Sequence, residues 1–264
     1  MTSRATDGPF RSDQIAEGSR YELTRGHPVY CEPAGRRHGL EHVLGTLALG
    51  TDPAVAGQVG VDVGFTPDDR TLRAPDIAVG GLANEPGWAE GAPRLAVEYA
   101  DRGNAEADLR SKIGELLGAG TEAVWVVRLT GPKRVEVHTR DGQRTFGHDE
   151  VLPLAGGLST AVPVAALFDR ASAEALALRN LLAPHGVGSV DDLRAEGREQ
   201  GRNEARAEAS EEAHRTRVLL LRIAHVLSTR GLPCDAARLA HLATLYVSEL
   251  QITLEALDTT GRWP

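Results

Sequence analysis

The stretch from residue 95 to residue 129 constrains the fold most, because it reads as a strand, a helix and a strand in direct succession. Leu95–Tyr99 and Ala123–Leu129 are short apolar runs of the kind found in buried strands. Between them, from about residue 105 to 117, apolar residues recur at helical spacing: Leu109, Ile113, Leu116 and Leu117. With another helix and further strands around it, this order predicts an α/β protein whose mixed sheet is flanked by helices.

The segments before this unit predict further strands and one more helix. Residues 20–24 and 28–31 form two strand candidates around a hairpin-like turn, and the alternation over residues 57–65 predicts a single strand followed by a turn at 66–70. A helix over residues 37–49 is predicted to bury one apolar face, made of Leu40, Val43, Leu44, Leu47 and Ala48.

The composition changes near residue 185 and divides the chain. We expect a flexible N-terminus over residues 1–18, an α/β domain over 19–185 and a helical extension over 186–264. Residues 194–217 are polar on every side, and such a helix needs a partner chain, many ion pairs or partial disorder. The apolar residues after 217 need burial, so the extension is a possible assembly element of a homodimer or higher homo-oligomer.

Charge and cysteine content limit the partners and the compartment. The formal net charge is −8, so the chain as a whole has no basic footprint, and a polyanion would require a local positive groove or a bound cation. No apolar run approaches the roughly 18 residues of a membrane span. Cys31 and Cys234 give neither a disulfide framework nor zinc spacing, which fits a cytoplasmic protein.

A glutamate in an apolar strand is the first candidate for chemistry. Strand alternation places Leu95, Val97 and Tyr99 on one face, and Glu98 on the other face between Ala96 and Ala100. A buried carboxylate needs a cation. Lys112, one of only two lysines among 29 lysine and arginine residues, follows on the next helix, where its compact ammonium can reach the sheet.

A second carboxylate at a strand end suggests what that cation is. Asp76 precedes an apolar run, and two carboxylates about 4–6 Å apart, with waters and phosphate oxygens, are a usual way to hold Mg²⁺. We therefore expect Asp76 and Glu98 to bind Mg²⁺ or Mn²⁺ and Lys112 to orient water or stabilise developing charge. Asp108, one turn before Lys112, is a possible partner for it. A purely structural ion-pair network is the alternative.

These residues together resemble the PD-(D/E)XK nuclease superfamily, in particular its Uma-type restriction endonuclease branch. In that branch the lysine has moved to the helix after the strand, and Ala100 stands where the parent motif has lysine. The resemblance covers residues 20–170 and is carried by Tyr21-Glu-Leu-Thr-Arg-Gly, His38-Gly, Pro75-Asp76, Val97-Glu98, Asp108, Lys112, Gly120 and Trp125-Val-Val. It implies a restriction-endonuclease-like fold, with Asp76 and Glu98 as metal ligands and Lys112 as catalytic residue.

The resemblance also implies supporting residues and an activity. His38 and Asp108 take supporting roles in the site. The implied function is a metal-dependent endonuclease that hydrolyses phosphodiester bonds of nucleic acid, with DNA as the expected substrate. The alternative is a catalytically silent protein of the same fold that uses its helical tail for interaction and assembly.

Overall fold

In the computed structural model, which describes residues 8–33, 35–101, 106–233 and 235–263, the chain divides into two units. The units are Met1–Gly188 and Ser189–Pro264. The helices of the first unit are α1 (Arg36–Gly50), α2 (Glu106–Ala119) and α3 (Arg170–Leu182). Its described strands are β1 (Tyr21–Thr24), β2 (His27–Tyr30), β3 (Val59–Val61), β4 (Phe65–Asp68), β5 (Thr71–Arg73), β6 (Ile77–Val79), β7 (Ala89–Glu90), β8 (Leu95–Ala100), β9 (Ala123–Arg128), β10 (Arg134–Thr139) and β11 (Gly142–Gly147).

A mixed six-stranded sheet forms the centre of the first unit, in the order β11-β10-β9-β8-β6-β3 among the described strands. Strands β8 and β9 are parallel and are joined through α2, whereas their other neighbours are antiparallel. Leu95, Val97 and Tyr99 join the core on one face, and Ala96 and Ala100 pack with the apolar residues of α2 on the other. The predicted mixed sheet flanked by helices is therefore confirmed.

A second sheet, in the order β2-β1-β5-β4-β7, lies in the same unit. The sequence did not predict β5, β7 or β11, nor α3. The N-terminal segment is attached to this part of the fold, because Phe10 N donates to the Gly26 carbonyl at 2.7 Å and Ser12 N to the Asp69 carbonyl at 2.9 Å. At Phe10 and Ser12 the predicted flexible N-terminus is thus replaced by chain bonded to the rest of the unit, while residues 1–7 lie outside the described residues.

The single strand predicted over residues 57–65 is wrong. The structure has two strands there, since β3 pairs with β6 in the central sheet and β4 pairs with β5 in the other. The chain turns between them at Asp62, whose φ of 53° lies in the left-handed region. Gly64 lets Trp88 approach, because a Cβ there would lie 2.5 Å from the indole ring. The predicted turn at 66–70 is correspondingly shorter, because β4 continues to Asp68.

The buried face of α1 also differs from the prediction. Leu40 and Val43 are 65% and 63% exposed, whereas Gly45, Ala48 and Leu49 are buried. Gly45 sets this orientation, since a Cβ at that position would overlap the hydroxyl oxygen of Tyr99 on β8. Close approach of helix to sheet at a glycine, and not the largest apolar residues, decides which face of α1 turns inward.

The second unit is helical, as predicted. Its helices are α4 (Val190–Thr229), α5 (Ala236–Leu242) and α6 (Val247–Thr260). Ser189 caps α4 by accepting a hydrogen bond from Asp192 N at 3.1 Å. The core of this unit is made by Leu219, Ile223, Leu227, Leu242, Leu250, Leu254 and Leu257. Within the described parts of the chain, no helix is long and apolar enough to cross a membrane.

Candidate active site

The pairing of β6 with β8 brings the two predicted carboxylates to adjacent positions. Ile77 lies opposite Val97 in this antiparallel pair, so Asp76, just before β6, stands beside Glu98. Asp76 Oδ2 accepts a hydrogen bond from Tyr99 N at 2.6 Å, which fixes the carboxylate against β8. Asp76 and Glu98 therefore lie at one point of the sheet, and their charges act on each other.

Lys112 reaches the same point from α2. Its Nζ lies 2.8 Å from Glu98 Oε1, 3.1 Å from Glu22 Oε1 and 2.7 Å from the carbonyl oxygen of Ala74. Lys112 Nζ donates hydrogen bonds to Glu22 and Ala74, whereas its contact with Glu98 Oε1 is an ion pair, because that buried oxygen has no hydrogen-bond partner among the described residues. The lysine predicted from sequence is thus brought to Glu98.

Glu22 and Arg73 are site residues that the sequence reasoning missed. Arg73 Nη1 donates to Glu22 Oε2 at 3.0 Å, and Arg73 Nε donates to Glu115 Oε2 at 2.6 Å. Arg73 is 2% exposed, and its third nitrogen contacts the hydroxyl of Thr24. Glu22 therefore bridges Arg73 and Lys112. The available signal was the same one that pointed to Glu98, a charged residue inside a short strand beside apolar neighbours.

Two histidines on α1 face Asp76. His38 Nε2 lies 3.2 Å from Asp76 Oδ1, and His42 Nε2 contacts the main-chain carbonyl oxygen of Asp76. The ligand atoms offered by His38, His42 and Asp76 all lie within 4.8 Å of one another. The structure places the predicted supporting residue His38 in the site. The sequence did not predict His42, because the apolar face predicted for α1 is not the face that the structure buries.

Asp108 is not brought into this cluster. It is exposed on α2, and Lys112 pairs with Glu22 and Glu98 instead of with it. The predicted Asp108–Lys112 pair is therefore wrong. The physical reason is burial, because Lys112 reaches carboxylates on the strands that are shielded from water, whereas Asp108 is solvated on the outer side of the helix.

The cluster is buried, and it contains more carboxylates than lysine and arginine side chains. Burial raises the pKa of Glu98 to about 8, and Asp76 and Glu22 add to this against the opposing charge of Lys112. Burial alone would also raise the pKa of Asp76, but the His38 hydrogen bond and the Lys112 charge hold it below its usual value. That hydrogen bond raises the pKa of His38. The pKa values of the neighbouring Asp76 and Glu98 carboxyl groups are thus shifted in opposite directions.

Comparison with known proteins places these observations in a family. The Uma2 family model, described as "Putative restriction endonuclease", matches residues 10–165, which include all the predicted site residues. The chain is also similar to the crystal structure of "a putative nuclease belonging to DUF820" from Anabaena variabilis ATCC 29413, with a TM-score of 0.51 and 16% identity over 61% of this chain and 98% of that one. At this identity the likeness shows the fold alone. No curated protein matches the chain.

Proposed function

The chain belongs to the Uma2 family, and from that premise we propose that it is a metal-dependent endonuclease that hydrolyses phosphodiester bonds of DNA in the cytoplasm. The observation that carries the proposal is the convergence of two carboxylates and a lysine. Asp76 stands beside Glu98 across the β6–β8 pair, and Lys112 Nζ lies 2.8 Å from Glu98 Oε1. We assign this site to a nuclease domain spanning residues 19–185.

The donor set fits a divalent cation, for which we propose Mg²⁺ with Mn²⁺ as a substitute. The carboxylates of the described cluster outnumber its arginine and lysine partners: Asp76, Glu22, Glu98 and Glu115 against Arg73 and Lys112. Burial and this crowding raise the pKa of Glu98 to about 8, so the cluster favours a further positive charge. Asp76 and Glu98 would hold the ion through oxygen atoms, the ligands that Mg²⁺ prefers.

The residues around the ion would have separate roles in hydrolysis. A bound divalent ion would neutralise phosphate charge and lower the pKa of a bound water. Tyr99 N and His38 hold the Asp76 carboxylate in one orientation, at 2.6 Å and 3.2 Å from its two oxygens. Lys112 stays protonated, because Glu22 and Glu98 raise its pKa against the opposing effect of burial. We propose that its ammonium orients the attacking water or stabilises the charge that develops on the phosphoryl group.

A cleavage assay tests the proposal. The purified full chain is incubated with duplex DNA, single-stranded DNA and RNA, in Mg²⁺, in Mn²⁺ and in EDTA. We expect cleavage of DNA that requires the metal and is lost in Asp76→Asn and in Glu98→Gln. Lys112→Met is expected to lower kcat at least ~100-fold, which is the size of a single charge-stabilising group, while changing metal affinity far less.

Lys133 supplies a matched control for Lys112. It is the other lysine of the chain and lies in the exposed turn before β10, with its Nζ 5.7 Å from the centre of the Phe168 ring. Lys133→Met removes the same charge without touching the cluster, so it should cleave at the wild-type rate. A double Asp76→Asn, Glu98→Gln variant that still cuts at that rate would contradict the assigned site.

One observation supports the alternative of a catalytically silent protein that uses its helical tail for interaction and assembly, in which the cluster is a structural ion-pair network. The supporting observation is that Lys112 Nζ donates hydrogen bonds to Glu22 and Ala74 and forms an ion pair with Glu98. For catalysis, one of these contacts has to be exchanged for water or substrate. If the wild-type chain cuts none of the three nucleic acids in either metal, and Lys112→Met chiefly lowers its stability, the alternative is correct.

We further propose that residues 186–264 are an assembly element that forms a homodimer. Exposed apolar side chains in the second unit support this, because Leu221, Leu239 and Ile252 are 63%, 57% and 61% exposed. Leu239 also lines a cavity of about 450 Å³ in this unit, together with Leu220, Ile223, Leu227 and Leu242 among others. Apolar surface of this kind is removed from water when a second copy covers it.

Light scattering on the full chain tests the assembly. The wild type is expected to have twice the mass of one chain, and a Leu221→Glu, Leu239→Glu variant the mass of one. Gln200→Ala, on the polar and exposed part of α4, serves as the control and should remain dimeric. A wild-type chain that runs as a monomer at all concentrations rules the proposal out.

A further inference from the structure

The two histidines on α1 form, with Asp76, a cluster whose chemistry differs from that of the paired carboxylates. His38 and His42 are one helical turn apart, with ring centres separated by 5.9 Å, so both present a ring to the same side of the helix. Tyr99 lies behind them, with its ring centre 6.1 Å from that of His38 and 5.7 Å from that of His42. The rings are therefore packed against β8 and directed at Asp76.

One distance in the cluster matches that between two ligands of one metal ion, and the third ligand atom lies close by. Two ligand atoms each about 2.1 Å from an ion, at angles between octahedral and tetrahedral, lie about 3.0–3.4 Å apart. His38 Nε2 and Asp76 Oδ1 are 3.2 Å apart, and all three ligand atoms lie within 4.8 Å of one another. The carbonyl oxygen of Asp76, which His42 contacts, is a further oxygen at the same place.

The negative charge around the histidines also favours a cation. Asp62 stands in the turn after β3 and acts electrostatically on His42, Asp76 and His38. It holds a left-handed backbone conformation, φ 53°, which is uncommon for a residue with a side chain. The negative charge of Asp62 therefore adds an electrostatic attraction for a divalent ion near the two imidazole rings.

We propose that His38, His42 and Asp76 form a site for a divalent transition-metal ion of the Zn²⁺ and Co²⁺ type. Imidazole nitrogen is a preferred ligand of these ions, whereas Mg²⁺ selects oxygen. Two histidines and one carboxylate leave coordination positions open for water and a phosphate oxygen. The inference rests on the proposed function for the role of the ion in hydrolysis, but the binding itself is measurable without any turnover. It differs from the Mg²⁺ site of Asp76 and Glu98 by two nitrogen ligands.

The first test is made on the wild-type chain. Zn²⁺ is titrated into metal-free, full-length protein, and the imidazole nitrogens are followed by long-range ¹H–¹⁵N NMR. The chain has nine histidines, so an ordinary surface effect is distinguishable from a site. We expect the Nε2 signals of two histidines to shift together and to saturate at one ion per chain. Shifts spread over many histidines, without saturation at that ratio, overturn the proposal.

A second test uses variants and the visible absorption of bound Co²⁺. His42→Ala is expected to weaken Co²⁺ binding at least ~10-fold, since losing even an outer partner of a metal site costs that much. Glu98→Gln should lose much less Co²⁺ affinity than His42→Ala, and His148→Ala, which removes a histidine next to Asp149, should bind Co²⁺ as the wild type does. Equal losses in His42→Ala and Glu98→Gln would place the ion between the carboxylates and overturn the histidine site.

The two proposals fail in different ways. Tight Co²⁺ binding that depends on His42, together with absence of cleavage in Co²⁺, Zn²⁺, Mg²⁺ and Mn²⁺, supports the metal site and contradicts the nuclease. Metal-dependent cleavage with Co²⁺ affinity unchanged in His42→Ala supports the nuclease and overturns the histidine site.

Discussion

Glu22 Oε1 accepts a hydrogen bond from Lys112 Nζ at 3.1 Å, although the two residues are 90 positions apart and belong to different layers of the fold. The other oxygen of Glu22 accepts from Arg73 Nη1 at 3.0 Å. Glu22 therefore ties the lysine of α2 to the sheet that contains β1 and β5. Burial alone would raise the pKa of Glu22, but Lys112 and Arg73 hold it below its usual value. The Glu22 carboxylate is therefore ionised and forms ion pairs with both basic side chains.

Replacing Glu22 should disturb the position of Lys112 more than the stability of the domain. For Glu22→Gln we expect kcat to fall at least ~10-fold with KM nearly unchanged. We expect the free energy of unfolding to fall by about 1.5–3 kcal/mol, the contribution of hydrogen bonds to charged groups. Glu115→Gln is the matched control, because Glu115 also binds Arg73 but does not bind Lys112. Equal losses of kcat in both variants would show a structural effect only.

The raised pKa of Glu98 predicts how stability depends on pH in EDTA. Burial raises this pKa from 4.5 to about 8, so the folded state binds the proton more tightly than the unfolded chain. The resulting stabilisation is complete below the lower value and is lost as the pH rises towards the higher one, by up to ~1.4 kcal/mol per pH unit. Glu98→Gln cannot lose a proton, so its stability relative to wild type should rise across this window.

Urea unfolding at several pH values measures this difference. Glu199→Gln, in the exposed polar part of α4, is the control and should follow the wild-type curve. Saturating metal should remove the advantage of Glu98→Gln, because the ion supplies the missing positive charge. Parallel stability curves for Glu98→Gln and wild type would mean that the pKa of Glu98 is not raised in the folded protein.

Local patterns in the sequence were sufficient for the strand of Glu98 and the helix of Lys112. Period-two alternation placed Glu98 beside Ala96 and Ala100, and the structure puts these alanines against α2, with Lys112 Nζ 2.8 Å from Glu98. The strand and the helix are adjacent in the chain, so their contact is decided by short-range geometry. This is the information that a periodicity carries.

Contacts between distant segments were not predictable in the same way. Arg73 and Glu22 are 51 residues apart and meet only because β1 and β5 are neighbours in a sheet whose order the sequence does not state. His42 was missed for a different reason. The buried face of α1 was judged by its largest apolar residues, whereas Gly45 allows the helix to approach Tyr99 and turns the histidine face inward.

Asp52, which lies away from the candidate site, predicts how the stability of the protein falls in acid. It is 1% exposed, and it accepts hydrogen bonds from Ala54 N at 2.9 Å, Ser159 N at 3.0 Å, Ser159 Oγ at 2.8 Å and Thr160 N at 2.8 Å. Burial alone would raise the pKa of Asp52, but these bonds lower it. A lowered folded-state pKa stabilises the protein above the unfolded value, and this stabilisation is lost as the pH falls.

Asp52→Asn should therefore cost stability near neutral pH and progressively less in acid. We expect a loss of about 2–3 kcal/mol near pH 7, since the amide keeps only one acceptor oxygen for several donors. Ser159→Ala removes a single hydroxyl donor and should cost about 1 kcal/mol. Denaturant unfolding from neutral pH to about pH 3 measures both. A loss in Asp52→Asn that stays constant with pH would contradict the charge-based explanation.

Gly45 gives a test of how helix position controls the site. Alanine normally favours a helix over glycine by about 1 kcal/mol, but at position 45 its Cβ would overlap the hydroxyl oxygen of Tyr99, so we expect Gly45→Ala to lose about 1–3 kcal/mol. The helix must move outward to relieve the overlap, which draws His38 and His42 away from Asp76 and should weaken Co²⁺ binding. Gly39→Ala, on the same helix with no atom within 4 Å of the new Cβ, should gain stability and bind Co²⁺ normally. Denaturant unfolding and Co²⁺ titration of both variants test this prediction. Equal stability and equal Co²⁺ affinity of the two variants would mean that the approach of α1 to Tyr99 does not determine the positions of His38 and His42.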